Sequence, residues 1–159
     1  MSILISLVAG IAGTFFMTLL TELIWLIFRK PYHVVRTLSV ILEKGKHART
    51  PTPTPLYYVI GTILHYAIGV GFAYLYLFAI DARIISFSLF PALIYGVLLG
   101  IIAMAGWFIF FAVHKFPLAY VLLIYLGAIG AGHILLAAVM YYTIQLISPQ
   151  PVALSIPVC

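Results

Sequence analysis

Long apolar stretches separated by short polar ones dominate the chain. Four of these stretches are long enough to cross a membrane as helices: residues 3–28, 56–80, 87–113 and 118–147. A spanning helix needs roughly 20 apolar residues to cross a ~30 Å hydrocarbon core. The connections after the second and third stretches are short, which favours antiparallel neighbours. The pattern therefore predicts an all-α integral membrane protein with four transmembrane helices in an antiparallel bundle, forming a single domain over residues 1–159.

The only sizeable polar segment, residues 29–55, contains a short amphipathic helix predicted over about residues 31–45. Pro31 is a helix-start residue, Gly45 is a helix-stop residue, and apolar side chains recur between them at helical spacing. Such a helix between two spans is expected to lie in the head-group layer, with a partner-binding helix as the alternative. The alternating Thr–Pro sequence that follows predicts a stiff, extended connector.

Composition supports the membrane assignment and narrows the function. Hydrophobic residues make up 65% of the chain and charged residues 7%, whereas an ordinary soluble domain is about a quarter charged. The first span has no basic segment before it, so it is expected to remain uncleaved. The only aspartate, Asp81, falls in a predicted turn, and no nucleotide-binding or hydrolase motif is present. No catalytic residue is therefore assigned, and the sequence leans away from an enzyme.

The positive charge of the chain is concentrated in the polar segment. Six of the eight Lys and Arg residues lie there: Arg29, Lys30, Arg36, Lys44, Lys46 and Arg49. Cytoplasmic loops of membrane proteins carry an excess of Lys and Arg, so segment 29–55 is predicted to be cytoplasmic and both termini outside. The segment is short and flanked by spans, which argues for contact with anionic lipid head groups and against a nucleic-acid partner.

Glu22 is the one acidic residue within a predicted span, and Thr18 and Thr21 share its helix face. A charge in hydrocarbon costs roughly 2.5–3.5 kcal/mol, so Glu22 is expected to face the bundle interior and find a partner. A proton acceptor, a metal ligand or a cation site is one interpretation. A hydrogen-bonded glutamate that holds the helices in register, aided by the two threonines, is the other.

His65 and His133 lie well inside the second and fourth predicted spans, each close to glycines. If their helices meet, the pair fits a bis-histidine haem site, and haem is the leading cofactor candidate. A metal site would add Glu22 or His114 to the pair. A proton or small-solute pathway through Glu22, His65 and His133 is a further alternative. Histidines that simply hydrogen-bond within the bundle are the commoner outcome.

Small residues at helical spacing predict close contacts between spans. They are Gly96 and Gly100 on the third span, and Gly127, Gly130 and Gly132 on the fourth. Together with the small size and the lack of a soluble domain, they favour a non-enzymatic structural or accessory subunit. Such a subunit would pack in the bilayer against itself or against other membrane subunits.

Several short motifs occur in order along the chain: His65-Tyr66…Gly69…Phe72-Ala73…Tyr76, then Tyr95-Gly96…Gly100, His114…Phe116-Pro117 and Gly132-His133. In order and spacing, residues 60–142 resemble the YagU-like group of small bacterial inner-membrane proteins. The resemblance implies a multi-pass protein of the bacterial cytoplasmic (inner) membrane with histidines on three successive spans. It implies no particular activity, and neither Glu22 nor segment 29–55 belongs to the pattern.

Overall fold

The computed structural model describes residues 3–28, 33–44, 52–114 and 122–148. These residues form five helices and no strand: α1 (Ile3–Phe28), α2 (Val34–Lys44), α3 (Pro55–Asp81), α4 (Leu89–His114) and α5 (Leu122–Ile147). Four of the five, α1, α3, α4 and α5, are long and apolar enough to cross a membrane. The all-α membrane fold with one additional short helix is therefore confirmed.

Some predicted features fall outside the described residues. They are the basic residues Arg29, Lys30, Lys46 and Arg49, the helix signals Pro31 and Gly45, the turn at 115–117, the predicted start of the fourth span at 118, and the first two residues of the Thr–Pro connector. The side chains of Lys44 and His114 also lie outside the described part. Where the connector is described, Pro55 opens α3 and the backbone N–H of Thr54 donates to Glu43 at 2.8 Å.

The spanning helices pack side by side in the order α3, α1, α5, α4. Neighbouring helices run antiparallel. As residue numbers rise along α1, those of the residues it contacts on α3 fall: Gly10 lies near Val70, while Thr18 lies near His65. The bundle thus has a loop end, where α1 and α4 end and α3 and α5 begin. Its other end is the turn end, where Arg83 adopts a φ of 58° in the connection from α3 to α4.

Contacts of α1 with α3 are close enough to require glycine. A Cβ added to Gly10 would lie 2.5 Å from the Cα of Val70, and a Cβ added to Gly69 would collide with Oγ1 of Thr14. Lipid chains are as apolar as the helix surface, so close packing of this kind is a main source of helix association in a membrane.

The glycines predicted to form close helix contacts lie where α5 meets its two neighbours, α1 and α4, with one exception. A Cβ on Gly96 would be 2.8 Å from that of Ala137, one on Gly100 would be 3.1 Å from the carbonyl oxygen of Gly130, and one on Gly132 would be 2.8 Å from Cγ of Met17. The exception is Gly127. It lies on the outer face of α5, where an added Cβ would meet nothing within 4 Å.

Helix α2 packs into the bundle and is covered by other helices. Val34, Val35, Thr37, Ser39 and Val40 are all buried, which places buried residues on more than one of its sides. Ser39 lies off the apolar face of this amphipathic helix, yet it is fully buried. Its side chain fits against Gly61 of α3, where an added Cβ would collide with the serine hydroxyl, and that hydroxyl donates to its own helix at the carbonyl of Val35.

The position of α2 follows from the way α3 and α4 diverge. At the turn end these two helices meet, since the Tyr95 hydroxyl donates to the carbonyl oxygen of Phe72 at 2.9 Å and the ring centroids of Tyr76 and Tyr95 lie 5.2 Å apart. Toward the loop end, α2 lies between them: Ser39 packs on α3, and Val34 packs on Phe111 of α4. The bundle therefore has four helices at one end and five at the other.

Two neighbouring glycines on α3 provide a matched test of the α1–α3 contact. We expect Gly69→Ala to lower the free energy of unfolding by about 1–3 kcal/mol, because the new methyl group overpacks against Thr14. Gly71→Ala adds its methyl group where nothing lies within 4 Å, so it should leave stability unchanged or raise it by up to ~1 kcal/mol through helix propensity. Unfolding in detergent measures both, and equal losses in the two variants would contradict this contact.

Candidate functional site

A cavity of about 150 Å³ lies within the half of the bundle nearer the loop end. All five helices contribute to its wall, which is largely apolar. The lining side chains include Met17 and Thr21 of α1, Val34 and Leu38 of α2, His65 and Phe72 of α3, Trp107 of α4 and His133 of α5. The structure thus brings together the two histidines singled out from the sequence, because α3 and α5 both pack against α1.

Hydrogen bonding fixes the orientation of His65. Its Nε2 lies 3.0 Å from the hydroxyl oxygen of Thr18. The single hydroxyl proton of Thr18 is already donated to the carbonyl oxygen of Thr14 at 2.8 Å, so the hydroxyl can only accept from the ring. In its neutral form His65 therefore carries its proton on Nε2 and keeps a lone pair on Nδ1.

His133 is anchored through the other ring nitrogen, Nδ1. Its Nδ1 lies 2.8 Å from the carbonyl oxygen of Ile129, one turn earlier on α5. A carbonyl oxygen only accepts, so the proton is on Nδ1 and the lone pair of the neutral ring is on Nε2. The ring of Phe72 approaches His133 edgewise, with centroids 6.0 Å apart, and closes the cavity toward the turn end.

The two imidazoles line the same cavity, and they are 8% and 7% exposed. Each ring uses one nitrogen to anchor itself and retains a lone pair on the other. Lone-pair nitrogens in an apolar cavity are suited to accept a hydrogen bond from a small donor or to coordinate a cation.

The size of the cavity bears on the haem hypothesis. Pockets for drug-sized ligands and cofactors span roughly 300–1,000 Å³, about two to seven times the volume between these histidines. As the helices are packed, the cavity is small for a porphyrin. Its volume suits a single ion or a molecule of a few heavy atoms.

Glu22 lies elsewhere. Its carboxylate is 2.5 Å from Nδ1 of His33, just before α2, and the two side chains are 42% and 33% exposed. They line an open groove together with Arg36 and Tyr58. Glu22 has the partner that the sequence analysis expected, but that partner is His33 in an open groove and not a group in the bundle interior. Among the described residues, no three His, Cys, Asp or Glu side chains cluster as a metal site.

The sequence indicated the two histidines, but it grouped Thr18 and Thr21 with Glu22 and gave no sign of Met17, Trp107 or the contribution of α2. Thr21 lines the cavity beside Met17, and Thr18 bonds to His65. Met17 follows Thr14 at i+3 and precedes Thr21 at i+4, so it shares their helix face. Met17 is apolar, so it does not stand out from the sequence as the threonines of that face do.

Comparison of the chain with protein-family models, with curated proteins and with solved structures finds no match. The site is therefore interpreted from its own geometry.

The bond between Thr18 and His65 is testable with an isosteric change. We expect Thr18→Val to lower the free energy of unfolding by about 1–3 kcal/mol, because it leaves the ring N–H of His65 buried without an acceptor. Thr62→Val is the matched control on α3, since the Thr62 hydroxyl donates to the carbonyl of Tyr58 at an exposed position. If the two variants unfold alike in detergent, Thr18 does not anchor His65.

Proposed function

We propose that this protein is a non-catalytic structural or accessory subunit that associates in the plane of the membrane, with itself or with a larger membrane complex. The observation that carries the proposal is a pair of small-residue notches on outward-facing helix surfaces. They lie at Ala67 and Gly71 on α3 and at Gly127 and Ala131 on α5.

These notches differ from the rest of the outer surface. The exposed face of α1 carries bulky side chains such as Leu7, Phe15 and Leu19, which suit contact with lipid chains. On α5, by contrast, Leu123, Gly127, Ala131 and Ile134 form one exposed row with two small residues at its centre. The four-residue spacing of Gly127 and Ala131 lets the backbone of another helix approach closely.

Internal packing does not require glycine at these positions. Added Cβ atoms at Gly71 and Gly127 would meet nothing within 4 Å, whereas Gly10, Gly69 and Gly96 are needed for contacts inside the bundle. Glycine in a helix costs about 1 kcal/mol relative to alanine. Contact with another membrane helix supplies a reason for glycine at both exposed positions.

The cellular setting is part of the same proposal. The protein would lie in a bacterial cytoplasmic membrane with segment 29–55 inside and both termini outside, as its Lys and Arg distribution favours. Membership of the YagU-like group agrees with that setting and is proposed on the motifs between His65 and His133.

Association can be separated from folding, because a Cβ added to Gly71 or Gly127 meets nothing in the bundle within 4 Å. We expect Gly71→Leu and Gly127→Leu to leave the unfolding temperature unchanged or to raise it slightly through helix propensity. We expect one or both to reduce lateral association at least severalfold, measured by energy transfer between labelled copies in membranes and by the yield of co-purified partner.

Ile63→Leu is the matched control, since it exchanges one bulky exposed side chain on α3 for another. It should leave association at the wild-type level. A wild-type protein that is monomeric in native membranes and isolates in mild detergent without a stoichiometric partner contradicts the proposal. So does association that neither glycine substitution changes.

Orientation has a direct test in the only cysteine, Cys159. A membrane-impermeant maleimide added to intact spheroplasts should label it. In a variant that combines Cys159→Ser with Ala48→Cys, the thiol in segment 29–55 should react only after the membrane is permeabilised. The reverse pattern of labelling would invert the proposed topology.

A further inference from the structure

We propose that the cavity between His65 and His133 is a binding site for a monovalent copper ion, Cu(I), with the thioether of Met17 as the third ligand. Each histidine offers the nitrogen that its own hydrogen bond leaves free, Nδ1 of His65 and Nε2 of His133. This site does not depend on the lateral association proposed above.

Met17 lies beside the histidine pair because Gly132 leaves room for it. A Cβ on Gly132 would be 2.8 Å from Cγ of Met17 and 3.7 Å from its sulfur, and Gly132 immediately precedes His133. Met17 is 7% exposed and lines the same cavity as both rings. The sulfur is a soft ligand, and Cu(I) is one of the ions that soft ligands favour.

The charge of the cavity decides between monovalent and divalent metals. The chain has three acidic residues, and none of them lines the cavity. Glu22 pairs with His33, Glu43 accepts the N–H of Thr54, and Asp81 lies at the turn end of α3. Two imidazoles and a thioether are all neutral, and a buried charge that no anion compensates is costly. That cost is smaller for a single positive charge than for the double charge of Zn²⁺.

The scaffold holds the three ligands in place without large movements. They come from α1, α3 and α5, and α1 contacts both of the other helices. Both rings are anchored by hydrogen bonds through their second nitrogens, which is the arrangement that orients metal-binding histidines. A volume of about 150 Å³ is ample for one ion.

A second apolar hollow borders the cavity. This groove of about 310 Å³ lies between α2 and α4, and it shares Leu38, Ala103 and Trp107 with the cavity wall. The groove therefore brings the outside of the bundle to within one layer of side chains of the proposed site.

The test is a competition for Cu(I) under anaerobic conditions. Purified full-length protein in detergent is titrated into the coloured Cu(I)–bicinchoninate complex, and loss of colour reports transfer of the ion. We expect one Cu(I) per chain. Zn²⁺, offered in a parallel titration, should bind at least about tenfold more weakly.

Variants that keep the anchoring bonds isolate the ligand atoms. His65→Gln retains a donor toward Thr18, His133→Asn retains a donor toward the carbonyl of Ile129, and Met17→Leu keeps the volume. Each should weaken Cu(I) binding at least about tenfold, since loss of a supporting residue alone costs 10–100-fold. Unfolding temperatures near that of the wild type establish that the variants are folded.

Met104→Leu and His33→Asn are the matched controls, because neither residue lines the cavity. Both should bind Cu(I) like the wild type. The proposal is overturned if the wild type takes up no Cu(I), if the three cavity variants bind as tightly as the wild type, or if the controls lose binding equally. Tighter binding of Zn²⁺ than of Cu(I) would also overturn it.

Discussion

The close approach of α1 to both α3 and α5 is the contact on which the rest of the structure depends. Four glycines make it possible: Gly10 and Gly69 between α1 and α3, and Gly13 and Gly132 between α1 and α5. A lipid environment provides no hydrophobic drive to hold helices together. Their association therefore depends on close approach of the backbones and on the van der Waals contacts that this approach allows. With α1 fixed between them, α3 and α5 present His65 and His133 to the same space.

Because little water reaches the interior of the bundle, polar side chains there form hydrogen bonds within the protein. Thr14, Thr18 and Thr21 each donate to a carbonyl oxygen three or four residues earlier on α1, which satisfies their hydroxyl protons within one helix. The lone pairs of these hydroxyls are then the available acceptors, and the one on Thr18 receives His65. A helix that is apolar in composition thereby sets the orientation of a ring on its neighbour.

Much of this fold could be predicted from the sequence, because helix length and apolar character decide what spans a membrane. The four long helices and the amphipathic helix were found in this way. The burial of α2 could not be predicted, since Ser39 is polar and its burial depends on its fit against Gly61. Glu22 was placed wrongly because its partner, His33, lies just before α2, and no local pattern places that residue beside the end of α1. The sequence indicated His65 and His133 as a pair, but whether they line one cavity depends on the order of the helices in the bundle, which the sequence does not give.

The insertion of α2 gives the protein different lateral areas at its two ends. Ser39 lies against Gly61, six residues into α3 and so about 9 Å from the start of that helix. Where a bilayer covers this level, five helices displace lipid in one leaflet and four in the other. A protein of this tapered shape favours a membrane that curves away from the protein's wider end. Several copies side by side would add to that curvature.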